Sequence, residues 1–387
     1  MSRSKKPTLS HWLEYLSYRA VEQFLRRLPL ETTFRLGEFV GAVIYRLAPG
    51  HRRTVIRNLR CAFGREKSYE AIEDLAARIF ERTGANLFSS IRVPFSSDRE
   101  IEARVVFEGL EEVAMVAGKQ GIVAVSPHMG NWELLAQAAH LAIGSFKAGT
   151  HYRPLNNQLL NRLVERRRKK RGLRLFAKQT SGYTMASFVK NGGFLGILAD
   201  QRVGSRGFPG IFFGRPTTCS LLPDLIARRG KGKLFSLVCE TIGTARWKIS
   251  FNPIPEISPQ ACATSLERAW RNSPADVFWF EDRWQLRGSN RLSFLDQYPP
   301  DHDVTRPLRF VNLAPEKVTH PNFPAGLITC EDHPLQLDRP TEYLRHELLQ
   351  IMENGETPVD VFVLPAEDLE KVAGLTGKTL AISGLRK

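Results

Sequence analysis

The stretch "GIVAVSPHMGNWELLAQAAHLAI", residues 121–143, decides the fold of this chain. Its first part is a short apolar run that stops at Ser126-Pro127, and its last part carries apolar residues at helical spacing. An apolar run without alternation reads as a strand covered on both faces, and proline ends it because it has no N–H to give a neighbouring strand. Gly130 gives the backbone freedom to turn, and Asn131 is suited to cap the helix that follows. Strand, turn and helix in that order make the repeating unit of a layered α/β domain. The turn sits at the strand's carboxyl end, where open sheets place ligands.

The alternation continues outward from this stretch. "ARVVFEG" reads as a strand and "LEEVAMVAGKQ" as a helix just upstream. Strands follow near "FKAGTHY", "LRLFA", "GFLGILAD", "GKLFSLVCET" and "ARWKISF". The expected fold is therefore α/β, a layered αβα domain over residues 61–298. Before it, over residues 1–60, Leu9, Trp12, Leu13, Leu16, Ala20, Phe24 and Leu28 recur at helical spacing, flanked by Arg19, Arg26 and Arg27. A second helix is expected over about 32–47, with Gly37 and Gly41 four apart. Two readings of these helices stand side by side, packing on the domain and lying in a lipid interface with arginines at the headgroups. "YPPDHDVTRP", 298–307, reads as a linker to a small α/β extension over 299–387, whose role the residues do not disclose.

Lys and Arg outnumber Asp and Glu by 55 to 40, a formal net charge of +15, which suits an anionic partner. The five cysteines are scattered with no C-x-x-C, which argues against a disulfide framework or a zinc site and fits a reducing compartment. The longest apolar run, "FVGAVIYRLAP", is interrupted by Arg46, so a spanning helix is not expected.

His128 and Glu133 stand five positions apart across the strand–turn–helix. A carboxylate folded back onto the imidazole would fix its tautomer and raise the basicity of the other ring nitrogen, as a general base requires. The alternative is a turn histidine with Glu133 in a capping box. The spacing recurs in His333 and Asp338, but His333 is followed by proline and no buried strand precedes it. In "HYRPLNNQLLNRLVERRRKKRGLRLF" a helix is expected from Pro154 to Gly172. Arg162, Arg166, Lys170 and Arg174 would form one cationic ridge, readable also as a solvated face. Arg153, at a strand end, could grip a phosphate with both ends of its guanidinium. "GILADQRVG" ends a buried strand on Asp200 and Gln201, and "GFPGIFFGRPTTCS" reads as a loop with apolar side chains to cover.

In their order, "YRLAPGHRRTVIRNLRCAF", "HMGNWE", "YRPLNN", "ILADQ" and "FFGRPTT" resemble the bacterial lipid A biosynthesis acyltransferases, the lauroyl and myristoyl transferases of the lysophospholipid acyltransferase superfamily, over about residues 10–295. The resemblance implies O-acyl transfer from acyl carrier protein, or acyl-coenzyme A, to a glycolipid hydroxyl. It places the reaction peripherally at the cytoplasmic face of the inner membrane, against an anionic lipid surface, without metal, cofactor or nucleic acid. It puts the family's H-x-x-x-x-D/E dyad on His128 and Glu133 and substrate binding on Arg153, Asn131, Asp200 and the arginine-rich helix with Arg166 and Arg168. The chain departs from the family's W-x-H-x-R pattern at Trp279-Phe280-Glu281-Asp282-Arg283-Trp284 and extends past 300, so another glycolipid or an aminolipid stays open as acceptor. A reading of a different class, a non-catalytic basic protein on anionic membrane or RNA, would keep the charge but has no need of the dyad.

Overall fold

The computed structural model describes residues 7–64, 66–117, 119–144, 147–203, 207–281, 283–287, 291–293, 308–313, 328–336, 338–353 and 361–363. The expected linker at 298–307 and the segments after 363 lie outside the described residues. The chain divides into two compact units. The first comprises Met1–Ile56, Glu73–Gln201 and Leu221–Glu281, and the second Arg57–Ile72, Arg202–Ser220 and Asp282–Lys387.

The chain begins with helices α1 (Leu9–Leu25), α2 (Leu30–Leu47), α3 (Pro49–Phe63), α4 (Tyr69–Arg92) and the short α5 (Asp98–Glu102). Only the first two are expected from the sequence. Thr8 caps α1 in a capping box completed by His11, and Ser97 caps α5. The glycine pair of α2 meets α4 at backbone distance. A Cβ on Gly37 would lie 2.4 Å from the Gly84 carbonyl oxygen, and one on Gly41 2.2 Å from that of Phe80. The described residues show the packing reading on one side of these helices and leave apolar side chains exposed on the other. Leu25, Leu30 and Phe34 are buried, whereas Leu9 is 77% and Leu13 59% exposed. No helix among the described residues is long and apolar enough to cross a membrane.

The layered domain follows in order with β1 (Val105–Glu108), α6 (Leu110–Val116), β2 (Ile122–Ser126), α7 (Trp132–Ala142), β3 (Ala148–Tyr152) and α8 (Gln158–Lys169). Then come β4 (Arg174–Ala177), α9 (Gly182–Lys190), β5 (Phe194–Leu198), the strands β6 (Phe208–Phe212) and β7 (Arg215–Cys219), which belong to the second unit, and α10 (Leu222–Gly230). Strands β8 (Lys233–Gly243) and β9 (Arg246–Ile254) and helix α11 (Pro259–Asn272) complete it. Seven strands form one sheet in the order β1-β9-β8-β2-β5-β3-β4. Every neighbouring pair is parallel except β8 and β9, which form a hairpin. All five residues of β2 are buried, as an apolar run covered on both faces demands. The core beneath it gathers Ile122, Ala124, Leu134, Ala138, Phe194, Phe235, Trp247 and Phe251.

Two expectations change here. The helix expected from Pro154 begins at Gln158, because Asn157 accepts from the N–H groups of Leu159 and Leu160 and becomes the cap. The helix ends before Gly172 (φ +81°), so Arg174 lies on β4 and leaves the proposed ridge. "GFPGIFFGRPTTCS" is an antiparallel hairpin rather than a loop. Its turn is Phe213-Gly214, both at positive φ, the geometry that matches the twist of the flanking strands. Arg283 stacks 4.7 Å from the centre of the Phe212 ring and donates to the Thr218 carbonyl, which ties the hairpin down within the second unit.

The second unit also holds a short hairpin, β10 (Gln285–Arg287) with β11 (Arg291–Ser293). The expected small α/β extension is present as β12 (Leu308–Asn312), β13 (Ile328–Asp332), α12 (Thr341–Glu353) and β14 (Val361–Val363). Its strands form a parallel sheet in the order β13-β12-β14. The buried Arg309 meets Glu331 with two hydrogen bonds, at 2.9 and 2.7 Å.

Candidate active site

Strands β2 and β5 are parallel neighbours, and Ser126 pairs with Leu198 at their carboxyl ends. His128 and Asp200 each lie two residues beyond that pair, so the fold brings them together across 72 positions of sequence. The Asp200 carboxylate accepts twice, from the His128 backbone N–H at 2.7 Å and from ring Nδ1 at 2.7 Å. Asp200 is only 3% exposed. Burial pushes its pKa up, but the facing imidazole and the hydrogen bonds from His128 outweigh it and hold the carboxyl below its usual range. Burial also disfavours the charged imidazole, yet the charge and hydrogen bond of Asp200 raise the His128 pKa above its ordinary value. With Nδ1–H held by the carboxylate, the lone pair of the neutral ring is on Nε2.

The turn after His128 is fixed on both sides. The His128 carbonyl accepts from the Phe278 N–H at 2.9 Å, and Gly130 donates to the Asp276 carbonyl at 2.8 Å. Gly130 has φ +55°, and a Cβ there would lie 2.1 Å from the Cys239 carbonyl oxygen, so only glycine fits. Asn131 caps α7 by accepting from the Leu134 N–H. Asn131, expected in substrate binding, is only 1% exposed and does not line the cleft. Behind the turn, the Asp276 carboxylate accepts from the Thr241 N–H at 2.8 Å and from Asn86 at 3.4 Å.

Glu133 does not fold back onto the imidazole. It lies in the first turn of α7 and is gripped at two points by Arg168 of α8, with Nε to Oε2 at 3.0 Å and Nη2 to Oε1. Asp200 takes the position beside the ring that sequence spacing had suggested for Glu133, because the neighbouring strand end reaches Nδ1 in register. Arg168 also stacks 6.0 Å from the Tyr152 ring centre. Tyr152 donates to Glu165 at 2.6 Å, and burial with this bond pushes its hydroxyl up to about 12.

These groups line one end of a cleft of about 630 Å³, within the range of roughly 300–1,000 Å³ usual for small-molecule sites. The polar end holds His128, Glu133, Arg168, Arg153, Gln201 and Glu281. The apolar depth is walled by Ala138, Ala139 and Ala142 of α7, by Gly149 and Gly196, and by Phe194 and Phe251. Arg153 is exposed at the cleft and makes no ion pair among the described residues. Arg166 is exposed, bonds among the described residues only back to the Arg162 carbonyl at 3.4 Å, and does not line the cleft. The rival His333 lies beyond β13 beside Glu331, at 3.5 Å.

Sequence reasoning missed Glu281 and Tyr152 as cleft residues. Glu281 comes from the chain after α11 and meets Gln201 at 2.8 Å, a contact across 80 positions that no local spacing announces. Tyr152 carried a usable signal, being the last residue of a strand parallel to β5. Among the described residues, no three His, Cys, Asp or Glu side chains cluster as metal ligands.

No curated protein matches the chain. Residues 3–286 match the bacterial lipid A biosynthesis acyltransferases, the family to which this chain belongs, and it is accordingly an acyltransferase acting between an acyl donor and a lipid acceptor.

Proposed function

We propose that the chain moves a fatty acyl group from the thioester of acyl carrier protein, or of coenzyme A, to a hydroxyl of a lipid A precursor. The observation that carries this reading is the His128 imidazole, held by Asp200 through Nδ1 at the mouth of a cleft whose depth is apolar. The donor chain lies in the apolar depth, which brings its thioester carbonyl to the polar end. His128 Nε2 takes the acceptor hydroxyl proton as the oxygen attacks that carbonyl. The tetrahedral oxyanion draws on the N–H groups of Trp132 and Glu133 at the start of α7, since that of Leu134 is taken by the Asn131 cap. Collapse breaks the carbon–sulfur bond, and the imidazolium returns its proton to the leaving thiolate. Asp200 keeps the ring in the tautomer that presents Nε2 and balances its positive charge. Glu133 and Arg168 hold α7 and α8 together beside the reacting atoms, and Arg153 at the rim takes a phosphate of the acceptor.

The reaction takes place at the cytoplasmic face of the inner membrane, with the protein attached peripherally. The exposed apolar side of α1 and the net charge of +15 support this, since both favour an anionic lipid surface. Glu281 favours a second acceptor class. A carboxylate facing the cleft complements an ammonium better than a phosphate, which suits an aminolipid. Mass spectrometry of membrane lipids from cells with and without the gene separates the two. Loss of one acyl chain from lipid A supports the first acceptor, and loss from an amine-bearing lipid the second. Unchanged lipids in both classes would sink the proposal.

A further inference from the structure

A second cavity, of about 420 Å³, borders a different face of α7 from the one that lines the catalytic cleft. Its apolar walls are Leu87, Phe88 and Ile91 of α4, with Pro94 and with Val164 of α8. Tyr18 of α1 and Gln137 of α7 close it. It shares Trp132, Glu133 and Arg168 with the cleft, so the salt bridge and the indole form a common partition.

We propose that this cavity is the subsite for a hydrocarbon chain already present on the lipid acceptor. The inference rests on the acyl-transfer reading above. An enzyme that joins a fatty chain to a lipid must shelter two hydrocarbon chains from water in one turnover. The cleft depth takes the chain being moved, and the second cavity takes the other. Its polar end lies at the partition, next to the centre where the acceptor hydroxyl reacts. The charges choose the ligand chemistry. Each guanidinium at the cavity is matched by a carboxylate, Arg167 by the buried Glu22 and Arg168 by Glu133. A neutral wall suits an uncharged hydrocarbon chain and leaves phosphate to Arg153. Exposed apolar side chains belong to the cavity wall or adjoin its residues in sequence. Leu87 is 40% exposed, and so in similar measure are Val21, one turn from Tyr18, and Phe95, next to Pro94.

Photolabelling reads the subsite without requiring turnover. The lipid probe is a lysophosphatidylcholine with a diazirine midway along its ester-linked chain. The donor probe is a non-hydrolysable acyl-coenzyme A thioether with the same diazirine. The lipid probe should label residues 87–91 and Val164, and Ser90→Phe should cut that labelling about tenfold by filling the space, a change worth about 1.4 kcal/mol of binding. Val164→Phe repeats the test from the opposite wall, should Ser90→Phe fail to fold. The donor probe should label α7 and β5 equally in all three proteins. Lipid-probe labelling found only on cleft residues, or undiminished by either substitution, would overturn the subsite. If the expected pattern is found in a protein that transfers no acyl group, the cavity holds a lipid chain but the acyl-transfer reading, and with it the acceptor role, fails.

Discussion

His128 has a partner that sequence distance concealed. The H-x-x-x-x-E spacing draws attention to a histidine and a turn that border the cleft, because the buried strand, Pro127 and Gly130 are all local signals. The partner could not be read locally, since Asp200 reaches the ring from the adjacent strand and its place depends on the order of strands in the sheet. This assignment has a consequence for pH dependence. A general base works only when neutral, and Asp200 raises the pH at which His128 loses its proton. In Asp200→Asn that support is gone, so the acidic limb of kcat/KM should move to lower pH while the maximum falls. An acidic limb that stays in place would return the role to another group. Glu133→Gln should instead cost folding stability, by about 1–3 kcal/mol for a half-buried charged hydrogen-bond pair. Urea denaturation should show that adding Arg168→Gln recovers part of the loss, because the stranded guanidinium is then removed as well.

The elements were legible where hydrophobic period and caps agreed, and less so where they did not. The buried run of β2 and the helical stripes of α1 and α2 needed no tertiary knowledge. Helices α3 and α4 went unread although they supply part of the packing, and α8 was begun too early because Pro154 outweighed the true cap, Asn157. Gly37 and Gly41 were visible as a spacing, but their purpose was not, since that requires α4 to be in place. The α2–α4 contact predicts that Gly41→Ala is destabilising by about 1–3 kcal/mol, as expected when a methyl group is forced into a filled space. Gly50→Ala on α3, where nothing lies within 4 Å of the added methyl, should leave stability unchanged or slightly higher. Thermal melts of the two variants should separate them, and equal melting temperatures would argue against a close α2–α4 contact.

On the scale of the whole molecule, the proposed attachment to a lipid surface draws on an exposed apolar helix side and a net charge of +15. Attachment of this kind has an apolar part from α1 and an electrostatic part that weakens with salt. Leu13→Ser with Leu16→Ser should lower sedimentation with anionic vesicles, and high salt or alkaline carbonate should release the wild-type protein. Binding that withstood both treatments would contradict a peripheral mode. Function itself was legible through the ordered motifs more than through composition, for charge alone fits many anionic partners. The claim at the centre is acyl transfer driven by the His128 imidazole. The direct measurement follows a labelled acyl group from acyl carrier protein onto a phosphorylated glycolipid acceptor, using purified wild-type protein and His128→Ala. The wild type should transfer the label, and His128→Ala should lose roughly 10²–10⁴-fold with its fold intact; transfer by His128→Ala at the wild-type rate would rule out the imidazole as the base.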